Sequence, residues 1–183
     1  MLMGGPRSFA EGGYGKTVIE TMLPIVLGAG GDDMEMLFQP KPTIEGTLSG
    51  IWSLASETQH DREIWETLPA LYGVNRFATT RAGATVLAEV NGVSEAVDGQ
   101  PLFAWQRYGE GRCAVLATGE TWQWQMMRKL EDDVHERFWR QLMRGLVKDV
   151  PEPVALTQGE EGLTVDESRV LTFLVRDSLF AAQ

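Results

Sequence analysis

Few residues in this chain have side chains or spacing suited to chemistry. The first group is AEGGYGKT, Ala10 to Thr17, which fits a relaxed phosphate-loop pattern ending in Gly15-Lys16-Thr17. That chemistry needs backbone N–H groups wrapped around an anion, between a buried strand and a helix N-terminus. The residues before it, Gly4 through Phe9, include two glycines and a proline and read as a turn rather than a strand. Glu11 would place a carboxylate inside the anion cradle, and the apolar run Cys113 to Thr118 ends in Gly119, not in the aspartate a magnesium site wants. Nucleotide binding is therefore not expected. The two histidines stand apart, His60 in a polar run and His135 at the start of an amphipathic segment. With no His-x-x-x-His or Cys-x-x-Cys spacing, neither a metal site nor a cofactor is expected. Cys113 is the single cysteine, and its apolar setting reads as a core thiol.

The elements that must position these groups are partly visible. At 183 residues and 43% apolar content, the chain suits one core-bearing domain with a short appendage. A formal charge of −10 and the acidic clusters Asp32-Asp33-Met34-Glu35 and Glu131-Asp132-Asp133 repel phosphate backbones, so nucleic acid is not an expected partner. No stretch approaches the ~20 apolar residues of a membrane span, so this chain is not expected to insert directly. A short helix is expected from Lys16 to Leu23, stopped by Pro24. Residues 32–80 hold few periodic runs, and Ile64 to Gly73 reads as a helical turn or extended connection. Then TVLAEV (85–90), PLFAWQRY (101–108) and GRCAVLAT (111–118) read as three strands, the last two joined by a tight turn at 109–111. Asp132 or Asp133 can cap a helix with Phe138, Trp139, Leu142, Met143, Leu146 and Val147 along one stripe. Pro151 and Pro153 end it, and a boundary near 150 separates residues 1–150 from a β-rich tail, 151–183, with strands expected at 163–165 and 170–175. Met1-Leu2-Met3 before a glycine turn looks like the end of a strand whose earlier part is absent, so a truncated beginning is expected.

Four segments carry a resemblance: LMGGPRSFAEGGYGKT (2–17), LPALYGVNRFATTRAGATVLAEV (68–90), PLFAWQRYGEGRCAVLATGETWQWQM (101–126) and HERFWRQLMRGLVKDVPEPV (135–154). The sequence resembles the glutamine amidotransferase-like domain of large bacterial proteins that also carry von Willebrand A-type domains and membrane anchors. VRDSLF (175–180) is similar to a strand opening a following β-rich module in such proteins. The resemblance implies a three-layer α/β fold of flavodoxin-like, class I amidotransferase-like type, with ligands at the carboxyl ends of parallel strands. It also implies that 1–150 is the C-terminal portion of that domain, in a protein associated with the cell envelope.

An active class I amidotransferase uses a cysteine on a strand-to-helix elbow, with a histidine and a glutamate after a late strand. By the resemblance the elbow falls at Gly4-Gly5-Pro6, where no sulfur is present, and Ser8 is the nearest hydroxyl. Thr118-Gly119-Glu120 falls at the His-x-Glu position, so Glu120 stands without its histidine. The candidate catalytic residues are Ser8, Glu120 and His135; the ligand-cleft candidates are Gly4, Gly5, Arg7, Ser8, Glu120, Trp122 and Trp124. Trp122 and Trp124 are expected on one side of an extended run, facing the cleft. The expected function is a catalytically silent domain that binds a protein partner or neighbouring domains of the same protein, with homo-oligomerisation as a further possibility. The opposing expectation is a hydrolase or amidase using Ser8 with Glu120 and His135.

Overall fold

Strand alternation organises the first part of the chain. The computed structural model describes residues 1–28, 33–92, 98–109, 111–148, 154–158 and 172–176, which fall into two compact units, Met1–Lys148 and Asp149–Gln183. The first unit runs β1 (Leu2–Met3), α1 (Val18–Met22), β2 (Ile25–Val26), β3 (Asp33–Pro42), α2 (Ile44–Ser49), α3 (Thr58–Thr67), β4 (Leu71–Asn75), β5 (Thr79–Thr80), β6 (Thr85–Gly92), β7 (Pro101–Tyr108), β8 (Gly111–Leu116), α4 (Trp122–Met127) and α5 (Val134–Val147). It is a mixed α/β structure on a six-stranded mixed sheet of order β1-β8-β7-β6-β3-β4, consistent with a flavodoxin-like amidotransferase fold. β1 pairs with β8 in parallel, and the other four pairings are antiparallel. Followed across the sheet, these directions make β1, β8, β6 and β4 run one way and β7 and β3 the other. The carboxyl ends of β1, β4 and β8 therefore share one end of the sheet with the amino end of β3. β2 and β5 form a separate antiparallel ribbon.

Both faces of β8 are covered. Ala114 and Leu116 enter a large core with Trp52, Trp65, Phe103, Trp124 and Phe138, while Val115 points the other way into a smaller core with Phe9, Leu23, Ile25 and Leu27. A strand buried on both faces reads as a continuous apolar run, and CAVLA does so. In the large core the rings of Trp52, Trp65, Trp124 and Phe138 lie 5.2–6.5 Å apart, mostly edge to face, the geometry aromatic quadrupoles favour. Helix α2 begins at Thr43, whose hydroxyl accepts from Gly46 N and donates to Val86 O of β6. It approaches β6 so closely that a Cβ on Gly46 would sit 1.9 Å from Leu87 O.

The three strands and the helix after Asp133 form as their periodicity predicts, but with a narrower buried stripe on the helix. Phe138 and Leu142 are buried and Trp139 and Leu146 partly so, whereas Met143 and Val147 are exposed. Elsewhere the structure differs from the sequence expectation. Residues 33–42 form the longest strand of the sheet, and 64–73 divides into the end of α3, the turn at Pro69 and the start of β4. Residues 122–127 are helical, not extended. At 100° per residue, positions two apart point to nearly opposite sides. Trp124 is accordingly buried, its indole donating to Pro69 O at 3.0 Å, while Trp122 is exposed. In the second unit, β9 (Val154–Gln158) pairs antiparallel with β10 (Thr172–Val175); the strand expected at 163–165 lies outside the described residues.

Candidate functional site

The carboxyl ends of β1, β4 and β8 are tied together by backbone and amide groups. Gly4 N donates to Leu116 O at 2.7 Å, and Asn75 N donates to Ala117 O at 2.7 Å. The Asn75 side chain, buried, then grips the first turn: its Oδ1 accepts from Gly5 N at 2.8 Å and its Nδ2 donates to Gly5 O at 3.2 Å. A primary amide, with an acceptor oxygen and a donor nitrogen side by side, matches the N–H and C=O of one residue in this way. Glycine is dictated at two points of this junction. A Cβ on Gly4 would lie 2.1 Å from Asn75 Oδ1 and 2.7 Å from the Ala117 carbonyl carbon, and one on Gly119 would lie 2.7 Å from Gly4 O.

A second amide repeats the device on the other wall. Gln123, also buried, accepts from Tyr72 N through Oε1 at 3.0 Å and donates to Tyr72 O through Nε2 at 3.2 Å. The same Nε2 donates to Glu120 Oε2 at 2.9 Å, which also accepts from Trp122 Nε1 at 2.9 Å. Thr118 bonds Gly73 O through its hydroxyl and accepts from Glu120 N. These ties leave a hollow of ≈ 210 Å³ at the strand ends. It is lined by Gly5, Pro6, the β4 residues Tyr72 to Asn75, Glu35 of β3, and Gly119 with Glu120 after β8.

The GATase1_like family model, described as "Putative glutamine amidotransferase", matches residues 1–148. The chain belongs to this family. Two solved structures are similar in fold. Cytoplasmic Protein STM1381 from Salmonella typhimurium LT2 superposes with a TM-score of 0.54 at 22% identity, covering 79% of this chain and 53% of that one. Cytoplasmic Protein STM3548 from Salmonella typhimurium superposes with a TM-score of 0.56 at 18% identity, with the same coverage. The chain thus spans about half the length of these proteins. No curated protein matches it in sequence.

In this amidotransferase-like chain the candidate residues are only partly gathered. Gly5 and Glu120 line the hollow, Gly4 ties the end of β1 to Leu116 of β8, and Trp122 bonds Glu120 from outside the lining. Trp124 is in the core instead, because α4 turns it inward. Ser8 is half-buried in the loop after Pro6, its N–H donating to Gly5 O and its carbonyl accepting from Gly12 N. Its neighbours Arg7 and Phe9 have φ of 58° and 53°, left-handed values that are uncommon for side chains of this size. Arg7 is exposed, and neither it nor Ser8 lines the hollow. Asn75, Gln123, Tyr72 and Glu35 are the site residues that sequence reasoning passed over. The Gly15-Lys16-Thr17 stretch serves its own helix: Thr17 caps α1 by accepting from Glu20 N, and Glu20 Oε2 accepts from Lys16 N at 2.6 Å, supplying the anion at that helix start.

His135 is in α5, away from the residues that line the hollow, and its Nε2 accepts from the Trp139 indole at 3.0 Å. Burial holds its pKa below 6.5, because the charged imidazolium is poorly solvated there. An imidazole that accepts at Nε2 must also lose that bond on protonation. A pKa lower in the folded than in the unfolded state contributes stability that is full above the unfolded value of ~6.5 and is lost as pH falls through the folded value. We expect NMR titration to place His135 below 6.5, and the denaturant midpoint to decline on acidification across that window less in His135→Gln than in the native chain. A His135 resonance titrating at or above the ordinary value contradicts this.

Among the described residues, no helix is long and apolar enough to cross a membrane, and no group of three or more His, Cys, Asp or Glu side chains could hold a metal ion.

Proposed function

We propose that the 1–148 unit is a non-catalytic amidotransferase-like domain, of three-layer flavodoxin-like type, that binds a partner or a neighbouring domain within a larger, envelope-associated bacterial protein. One observation carries this reading. Among the described residues lining the hollow where the sheet ends converge, none has a thiol, an aliphatic hydroxyl or an imidazole, and in the stretch Gly4-Gly5-Pro6, where the resemblance sets the elbow, the Gly5 backbone is committed to Asn75. Acyl transfer needs a nucleophile and a base within hydrogen-bond reach of one another. Support for the layered fold comes from β8, which packs against the helical core on one face and against Phe9 of the glycine loop with Leu23, Ile25 and Leu27 on the other.

The hydrolase reading draws on Ser8 and Glu120, and its imidazole, His135, is engaged by Trp139. The two readings separate in an assay for glutaminase, amidase and esterase turnover with Ser8→Ala and Glu120→Gln alongside the native chain. We expect rates indistinguishable from buffer for all three. Turnover by the native chain that disappears in Ser8→Ala would establish the hydrolase instead.

A further inference from the structure

The hollow has a chemical bias that its family membership does not specify. Among the described residues its lining holds two carboxylates, Glu35 and Glu120, and no lysine, arginine or histidine. Each carboxylate is held by an exposed aromatic residue. Trp122, 53% exposed, donates its indole N–H to Glu120, and Tyr72, 48% exposed, reaches toward Glu35 with a long hydroxyl contact of 3.5 Å. Glu120 is also fixed by Gln123, and both bonds fall on Oε2. Among the described residues Oε1 receives no hydrogen bond. The scaffold beneath is held by Asn75 and Gln123, so the walls are set before any ligand arrives, which lowers the ordering cost of binding.

Carboxylates paired with aromatic faces recognise cations that are also greasy. The carboxylate supplies charge, and the ring supplies quadrupole attraction and apolar contact for the carbons next to the charge. A bare divalent metal ion fits less well, since calcium takes six to eight oxygen ligands and two carboxylates supply too few. An anion such as a free carboxylate or phosphate meets like charge. The geometry points to a receptor site for an alkylammonium group, with the charged end between Glu35 and Glu120 and the alkyl chain against Trp122 and Tyr72. This deepens the binding-module reading and rests on it. The ammonium has two sources, a free small amine or a lysine side chain of a polypeptide.

The test follows the Trp122 indole N–H resonance, assigned by its loss in Trp122→Phe, while the full chain is titrated with butylammonium chloride, an acetylated and amidated Gly-Lys-Gly peptide, butanol, sodium acetate and calcium chloride. Butylammonium has no bond that an amidase cleaves, so its titration is independent of the turnover assay that tests the module reading. We expect a saturable shift with an ammonium probe, weaker in added salt. Binding should be about fivefold weaker in Glu35→Gln and in Glu120→Gln, the size expected of a solvent-accessible ion pair. Tighter binding of the peptide identifies a polypeptide lysine as the ligand, and equal or tighter binding of butylammonium identifies a free amine. The proposal is overturned by no saturable shift with either ammonium, by affinity unchanged in both glutamine variants, or by butanol, acetate or calcium saturating the same signal more tightly. Thermal unfolding of each variant, expected within a degree or two of the native chain because both carboxylates are at the cleft surface, separates lost binding from lost fold.

Discussion

Phe138→Ala is expected to remove ~3–5 kcal/mol of stability, a large share of the ~5–15 kcal/mol available to a domain of this kind. The ring is completely buried and lies 5.3 Å from Trp52, 6.5 Å from Trp65, 5.4 Å from Trp124 and 5.5 Å from Trp139. Three of these tryptophans come from separate segments, the loop after α2, α3 and α4, so one side chain fastens three pieces of chain to α5. Truncation forfeits its apolar burial and leaves a cavity among large, rigid rings that cannot collapse inward. Urea titration monitored by tryptophan fluorescence reads the change directly. Phe138→Leu should recover more than half of it. A loss below ~1 kcal/mol for the alanine variant would mean that the four indoles close over the gap.

The second large effect is expected at Gly4. A methyl group there meets the Asn75 amide oxygen and the backbone of Ala117 at once. The amide could swing aside, but only by releasing both of its bonds to Gly5, and the backbone has nowhere to go. Gly4→Ala should therefore cost at least the ~1–3 kcal/mol of a forced overpacking, with lost hydrogen bonds adding to it. It should also disturb the amide resonance of Gly5. Gly15→Ala is the matched control, since a Cβ there meets nothing within 4 Å, and its effect should stay within ~0.5 kcal/mol. Equal stabilities for the two variants in a denaturant series would show that the strand ends are not packed this tightly.

How far the molecule can be read from its residues depends on the range over which each signal acts. β6, β7 and β8 are legible because β-branched and aromatic residues alternate or run together between turn formers, and α5 because its apolar residues recur every three or four positions. β3 escapes because Pro40 and Pro42 interrupt it, and α3 because most of its residues are polar, with Ile64 and Trp65 the only large apolar groups. Trp122-Gln123-Trp124-Gln125 alternates like a strand yet folds as a helix, and the competing principle is tertiary: the aromatic core draws in Trp124 alone. Glu120 and the opening glycines are visible through the family pattern. Asn75 and Gln123 are not, because their value lies in bonds to backbone 70 and 51 residues away, which no local window contains.

The double burial of β8 has a thermodynamic consequence. Because Val115 anchors the glycine-rich loop while its immediate neighbours Ala114 and Leu116 anchor the indole cluster, the two sides of the sheet share a single spine. Peeling away either side strips solvent protection from a strand the other side needs. The unit should therefore melt in one cooperative step, with amide hydrogens at the start of the chain exchanging through the same global opening as those of the deepest strands.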